Sequence, residues 1–435
     1  MQLLLRGFVF RIIFTGMGFL VSLLIAKLAG TNQFGSLSLI IVNAAFIYII
    51  TGLGTDAAIV WHGISGKGYD RNKIFSFTLI TATIQLLFFY IIAILGFLFL
   101  GHTLLGGSYD LSVFFAELTY FTGLVFMDKF LSLYYSQQEA KLGNKILAIA
   151  SGVLFLIVAI IWMIRPVIIR NYPIWIYSLF ISLPALILLL FFLIRFKPVI
   201  TGISQEELKS FSAFSFIVLI SNTIQFIAYR ADYWLLSIYY DHDAVGIYAQ
   251  ASKFAQLLWI IPGILAGLVT PALKNEKEKL TNTGLVSICR LLVFTHLILG
   301  FFVIAVSAFI YKFFLPDDYY NGFFSLLIML PGYLVYIVNI ILAAYFSAHR
   351  LLRVNLYGSI LCCVLMLSFD LLFIPKLNYK GAAIANLLAY SITMVFIIFQ
   401  ARKFIKVSFK DLFIVQRSDF NLFSNKILNT YNQKV

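Results

Sequence analysis

A small set of ionisable residues stands inside otherwise apolar stretches: Arg11, Lys27, Glu117, Asp128, Lys129, Arg230, Asp232, Lys253 and Arg290. A charge at membrane depth is costly unless it faces a polar interior, so each of these marks a candidate site. Lys253 lies nine residues inside its run, roughly 13 Å deep at 1.5 Å per residue, and snorkelling back to the outer interface from there is strained. It is read as a cation facing a lumen. Arg230 and Asp232 are two residues apart and do not share a helix face; for Arg230 a substrate or gating role and a structural inter-helix pair both stay open. Arg11 and Lys27 sit near opposite ends of one run, as ligands or as snorkelling interfacial cations. Glu117, about 9 Å from the outer end of its run, is a candidate for proton or cation coupling, and Asp232 is the second such candidate. Asp128 and Lys129 read as a local interface pair, and Arg290 as interfacial. Deep cations outnumber deep acids. The chemistry this predicts is recognition of an anionic group such as phosphate, not of an organic cation.

The elements that hold these charges follow from composition. Of 435 residues, 62% are apolar and 11% charged, against roughly 25% charged in a soluble domain; the mean hydropathy is +0.97. These values exclude a soluble enzyme, a disordered chain, a secreted disulfide scaffold and a nucleic-acid-binding domain. Apolar runs near 7–29, 34–60, 74–100, 111–136, 145–164, 173–194, 211–239, 244–270, 285–311, 319–346, 354–374 and 381–403 predict twelve transmembrane helices. The runs are too long and too uniformly apolar for membrane barrel strands. The first is too long for a signal-peptide core and is read as a span. The fold expected is an all-α integral membrane protein.

The net charge of +14 sorts by loop. Arg165, Arg170, Lys312, Lys376 and Lys380 lie in loops on one side. Arg11, Lys27, Lys129, Arg230, Lys253 and Arg290 lie within runs, and the other 21 of the 32 basic residues lie in loops or termini on the opposite side. By the positive-inside rule this places both termini in the cytoplasm. A basic tail at 406–435 serves orientation and contact with anionic membrane lipids, or docking of a partner enzyme.

Three pairs of short signals share nearly one offset. Phe34-Gly35-Ser36-Leu37 and Val245-Gly246-Ile247-Tyr248 are 211 apart, as are Ser136 with Asn144 and Ser347 with Asn355; Asn171-Tyr172 and Asn378-Tyr379 are 207 apart. Six runs separate the copies, so the halves have the same orientation. This predicts a 6+6 parallel pseudo-repeat, with a six-helix bundle at 1–205 and another at 206–405. Two such bundles rocking about a shared cavity suit a transporter. Pro262-Gly263 and Pro331-Gly332 interrupt their runs and are hinge candidates, or tolerated kinks. Cys289, Cys362 and Cys363 fit small core residues and no disulfide framework. The five histidines share no metal-ligand spacing, and there is no nucleotide-binding or nucleophile motif, so no metal, cofactor or catalytic residue is expected.

Ala26-Lys27-Leu28-Ala29-Gly30 followed by Phe34-Gly35-Ser36-Leu37, then Gly52-Leu53-Gly54-Thr55-Asp56-Ala57-Ala58, Val245-Gly246-Ile247-Tyr248-Ala249 with Pro271, and Ile374-Pro375-Lys376 with Gly381-Ala382-Ala383, occur in this order along the chain. Together they resemble the polysaccharide (O-antigen/capsule type) flippase branch of the multidrug/oligosaccharidyl-lipid/polysaccharide exporter superfamily. The resemblance implies a MATE-like bundle pair in the bacterial inner membrane, moving undecaprenyl-diphosphate-linked oligosaccharide repeat units to the outer leaflet. Lipid II flippases of this superfamily carry arginines where Lys27 and Lys253 stand here, implying contact with the diphosphate; lysine keeps the charge but loses bidentate geometry. The expected partners are the lipid-linked oligosaccharide, membrane lipids and glycan polymerase or assembly proteins, with no nucleic acid, and the chain is expected to act as a monomer. An ion-coupled multidrug antiporter of the same superfamily is the second reading, with Glu117 or Asp232 as its acid. A polytopic glycan polymerase is the third, disfavoured by the short external loops.

Overall fold

The computed structural model describes residues 2–64, 70–274, 281–405, 407–416 and 419. Lys67, Lys277, Lys279, Lys406, Arg417, Lys426 and Lys434, part of the basic set above, lie outside them. Among the described residues every regular element is helical. In chain order these are α1 (Gln2–Gly52), α2 (Thr55–Ile64), α3 (Arg71–Leu100), α4 (Leu111–Ser136), α5 (Ala140–Ile164), α6 (Pro166–Asn171), α7 (Pro173–Phe196), α8 (Gln205–Tyr239), α9 (His242–Gln256), α10 (Ile260–Lys274), α11 (Asn282–Phe313), α12 (Tyr320–Ala348), α13 (Leu352–Leu377), α14 (Tyr379–Ala401) and the short α15 (Phe409–Phe413). Each of the twelve apolar runs is a helix, part of one, or a pair. Nine helices among the described residues are long and apolar enough to cross a membrane. Their outward side chains stay bare, as lipid-facing surfaces must: Phe99 is 78% exposed and Phe301 73%.

The exceptions are informative. Runs one and two merge in α1, broken only at Gly30, whose φ of 77° lies in the left-handed region that glycine adopts without a Cβ penalty. Run two is not continuous as expected: Leu53 (φ 51°) and Gly54 (φ 68°) separate α1 from α2. Run eight is split by a 3-10 turn at Leu257–Trp259 into α9 and α10, of 15 residues each. Pro262 has no N–H for the Leu258 carbonyl four residues back, which removes a helical bond at that turn. Run seven is a single helix, α8, but Asn222, Gln225, Arg230 and Asp232 interrupt its apolar character. Run eight, which carries Lys253, falls outside the nine because each of its halves is only 15 residues long.

The chain divides into two compact units, Met1–Gln250 and Ala251–Val435. In the first, α4 crosses α7 so closely at Gly123 that a Cβ there would lie 2.6 Å from the Ser182 Cα. Tyr134 is fully buried against Phe192, rings 5.3 Å apart, and Phe89 stacks on Phe121. In the second, α12 and α13 both pack on α14. The two units share a hairpin design at the predicted offset. After α4, Gln138 takes φ 60° and Glu139 N–H bonds the Tyr134 carbonyl at 2.8 Å. After α12, Arg350 takes φ 60° and Leu351 N–H bonds the Phe346 carbonyl at 2.8 Å. Asn144 then bonds the Tyr135 hydroxyl (3.1 Å), and Asn355 bonds Ser347 Oγ (3.0 Å), so the paired asparagines tie equivalent turns. The third pair is not equivalent: Asn378 caps α14, whereas Asn171 ends α6 and caps nothing.

Candidate functional site: charges within the spans

In the first unit Arg230 and Asp232 hold different partners on one aromatic bridge. Arg230 Nη1 donates to the Tyr233 hydroxyl at 3.3 Å, and its guanidinium stands 5.4 Å from that ring's centroid. Asp232, 2% exposed, accepts from Tyr233 N–H (2.9 Å) and from the Tyr248 hydroxyl of α9. The Tyr233 and Tyr248 rings meet edge-on at 5.5 Å. Spacing two residues apart thus separates the charges, and the tyrosines reconnect them across two helices. Tyr177 on α7 lies within electrostatic range of Arg230, and its ring is 5.8 Å from that of Tyr120 on α4.

Glu117 stands apart from that group. It is 2% exposed and accepts from Thr103 Oγ1 (2.8 Å) and Gly107 N–H (3.1 Å), so it ties the α3–α4 connection to α4. Lys129, without exposed surface, does not pair with its neighbour Asp128. It donates to Thr55 Oγ1 (2.6 Å) and Asp56 Oδ1 (3.3 Å), both at the start of α2, and Asp56 also accepts from the Tyr48 hydroxyl. Asp128 lies within electrostatic range of Asp56, Arg11 and Lys129. Just after the helix break at Leu53–Gly54, Asp56 thus belongs to a cluster with Lys129, Asp128 and Arg11. Arg11 Nη1 is buried without a hydrogen-bond partner among the described residues. Lys27 stands over Trp162 of α5, 5.5 Å from its ring centroid.

The repeated glycine motifs meet face to face within this unit. A methyl on Gly35 would strike the His242 carbonyl and approach Gly246 N to 2.9 Å; one on Gly246 would strike the Thr31 carbonyl. Asp243 accepts from Thr31 Oγ1 and from Asn32 Nδ2 (3.2 Å), and Asn43 accepts from Trp234 Nε1 (2.7 Å). The α1 kink and the α8–α9 turn are thus latched at the end of the helices where the external loops are expected.

In the second unit Lys253 occupies the last turn of α9, one turn before the 3-10 break. Trp259 at that break donates to the Tyr333 carbonyl (3.1 Å), and its ring lies 4.4 Å from Tyr333 and 5.4 Å from Tyr390. Pro262 and Gly263 lie in the first turn of α10, just beyond it. Pro331 leaves α12 continuous, and a Cβ on Gly332 would come within 2.8 Å of Leu387 Cα, a close crossing with α14. Arg290 is 7% exposed and forms a two-pronged pair with Asp419 (2.7 and 2.6 Å). Asp56 and Asp419, the partners that make Lys129 and Arg290 internal, were not identified from spacing. Asp56 stood inside a noted motif, but its partner is 73 residues away.

A family model described as polysaccharide biosynthesis protein matches residues 8–275. None of the curated proteins compared matches the sequence. Among solved structures the chain is similar to the lipid II flippase MurJ in an inward closed conformation, with TM-score 0.71, 14% identity, and 93% of this chain and 89% of that chain covered. It is similar to an inward-facing multidrug resistance MATE family transporter of the MOP superfamily, with TM-score 0.65, 13% identity, and 90% and 93% covered. A MATE protein in its bent conformation gives TM-score 0.63 at 13% identity, with 92% and 94% covered. These likenesses establish the fold, an all-α arrangement of multiple membrane helices.

Proposed function

The chain belongs to the polysaccharide biosynthesis protein family, and from that premise we propose that it is a flippase. Its substrate is an undecaprenyl-diphosphate-linked oligosaccharide repeat unit, turned across the bacterial inner membrane by alternating access for O-antigen, capsule or exopolysaccharide assembly. The observation that carries this reading is the set of cations within the spans, Arg11, Lys27, Arg230 and Lys253, in a chain of that family and fold. Lys253 holds the diphosphate, with Arg230, Lys27 and Arg11 as further contacts along its path. The sugars occupy the wet interior while the prenyl tail stays in lipid.

The Gly35–Gly246 crossing is the contact that transport would make and break at the outer end, and Leu53–Gly54, the 3-10 turn before Pro262-Gly263, and Pro331-Gly332 are the bending points. Both termini face the cytoplasm. The chain works as a monomer and hands its product to a glycan polymerase. The multidrug-antiporter reading requires an acid that exchanges its partner for a cation. Glu117 and Asp232 are instead each held by two hydrogen bonds to their own unit.

The test is complementation of a flippase-null strain. Lys253→Ala is expected to abolish surface glycan at normal membrane abundance, and Lys253→Arg to retain a substantial part of it. Full surface glycan from Lys253→Ala overturns the assignment. Loss of drug efflux in Glu117→Gln with surface glycan intact would select the antiporter instead.

A further inference from the structure

Beyond α14, residues 402–405 and 407–416 stay against the protein. Ile405 N–H bonds the Ala401 carbonyl (2.8 Å), Ile405 and Val407 turn inward, and α15 lies on α11 with Leu412 fully buried. Arg290 of α11 clamps this elbow through its two bonds to Asp419 and a third to the Asp411 carbonyl (3.2 Å). One side of residues 401–405 and 407–416 is thus committed to the protein. The other side presents Phe404 (43% exposed), Phe409 (49%) and Ile414 (58%), interleaved with the exposed cations Arg402, Lys403 and Lys410. The acids nearby are already engaged: Asp411 accepts from Ser408 N–H (2.7 Å), and Asp419 is held by Arg290.

We propose that this elbow is a binding site for the headgroups of anionic phospholipids at the membrane surface. Its place is set covalently, because α14 is a membrane span that ends at Ala401. Apolar rings set among cations match the boundary between acyl chains and headgroups, where burial and attraction to negative lipid act together. The buried clamp matters because it holds the elbow against α11 while these cations and rings stay exposed. An acidic protein partner would meet the same cations but has no use for the bare Phe404, Phe409 and Ile414 beside a lipid surface. This inference does not depend on which substrate the chain carries.

The experiment uses the full-length protein in nanodiscs, with an environment-sensitive fluorophore on Ile414→Cys in a Cys363→Ser background. Bilayers of phosphatidylcholine are compared with bilayers that also contain phosphatidylglycerol, each doped with a lipid quencher placed just below the headgroups. The probe is expected to be quenched far more strongly when phosphatidylglycerol is present. Each interfacial cation is worth roughly a fivefold change in affinity, so Arg402→Gln/Lys403→Gln/Lys410→Gln together should weaken the phosphatidylglycerol dependence on the order of a hundredfold. An unchanged elution profile of the variant confirms that it is folded. Equal quenching in both bilayers that the triple variant leaves unchanged overturns the proposal. So does a probe that stays in water in both and is shielded only by an added acidic protein.

Discussion

At the residue scale, Lys129, Asp232 and Arg290 are buried charges whose partners are seldom their neighbours in sequence. Lys129 ignores Asp128 and reaches Asp56; Arg230 and Asp232 are joined through Tyr233 and Tyr248. Removing one member of a buried pair strands the other, which costs far more than the pair contributes over an apolar substitute. Lys129→Met should therefore lower stability by about 3 kcal/mol, read as a drop in the thermal unfolding midpoint of the purified protein. Asp56→Asn combined with Lys129→Met should recover most of that loss. A double variant as unstable as the sum of the singles would show that the two residues do not act as a pair. For Lys253 the proposed role as a substrate contact predicts that its replacement costs transport and not folding.

At the element scale, the proposed movement falls to the helix breaks and close crossings. Gly35 and Gly246 let backbones touch where no Cβ fits, so Gly246→Ala should prevent the outer latch from closing. The expected result is near-complete loss of transport at normal abundance, with a cysteine at His242 becoming more reactive to an impermeant reagent. Unchanged transport would mean the crossing is incidental. The elbow after α14 offers a pH readout. Burial pushes the Asp419 carboxyl up, but the hydrogen bonds from Arg290, Ser287 and Gln416 N–H more than offset this and hold it below the usual aspartate range. A carboxyl lowered by docking stabilises the docked state fully above the free value of about 3.9. That contribution fades as pH falls from there through the docked value. Protease cleavage after α15 should accordingly rise only in that acidic window, and Arg290→Gln should make it pH-independent.

At the scale of the whole molecule, the charge asymmetry predicts a fixed orientation. Single cysteines at His102 and Asp317 should label from outside intact cells, and one at Arg350 only after permeabilisation; the opposite pattern would invert the proposed topology. The sequence alone determined the all-α membrane class, the apolar runs that become helices and the repeat of the two hairpin turns. Class and runs depend on local sums of apolar length against bilayer thickness, and the repeat on a shared offset of short signals; both survive without knowledge of contacts. Even the hairpin asparagines Asn144 and Asn355 were legible, because their partners are 9 and 8 residues away. Only the tertiary structure decided which interior charges are already satisfied. It assigned Lys129 to Asp56, Arg290 to Asp419 and Asp232 to Tyr248, and it turned two repeated glycine motifs, 211 residues apart, into one latch. The physical reason is that a charge in apolar surroundings is neutralised by whatever lies within a few ångströms, and helix packing, not chain order, sets that list of neighbours.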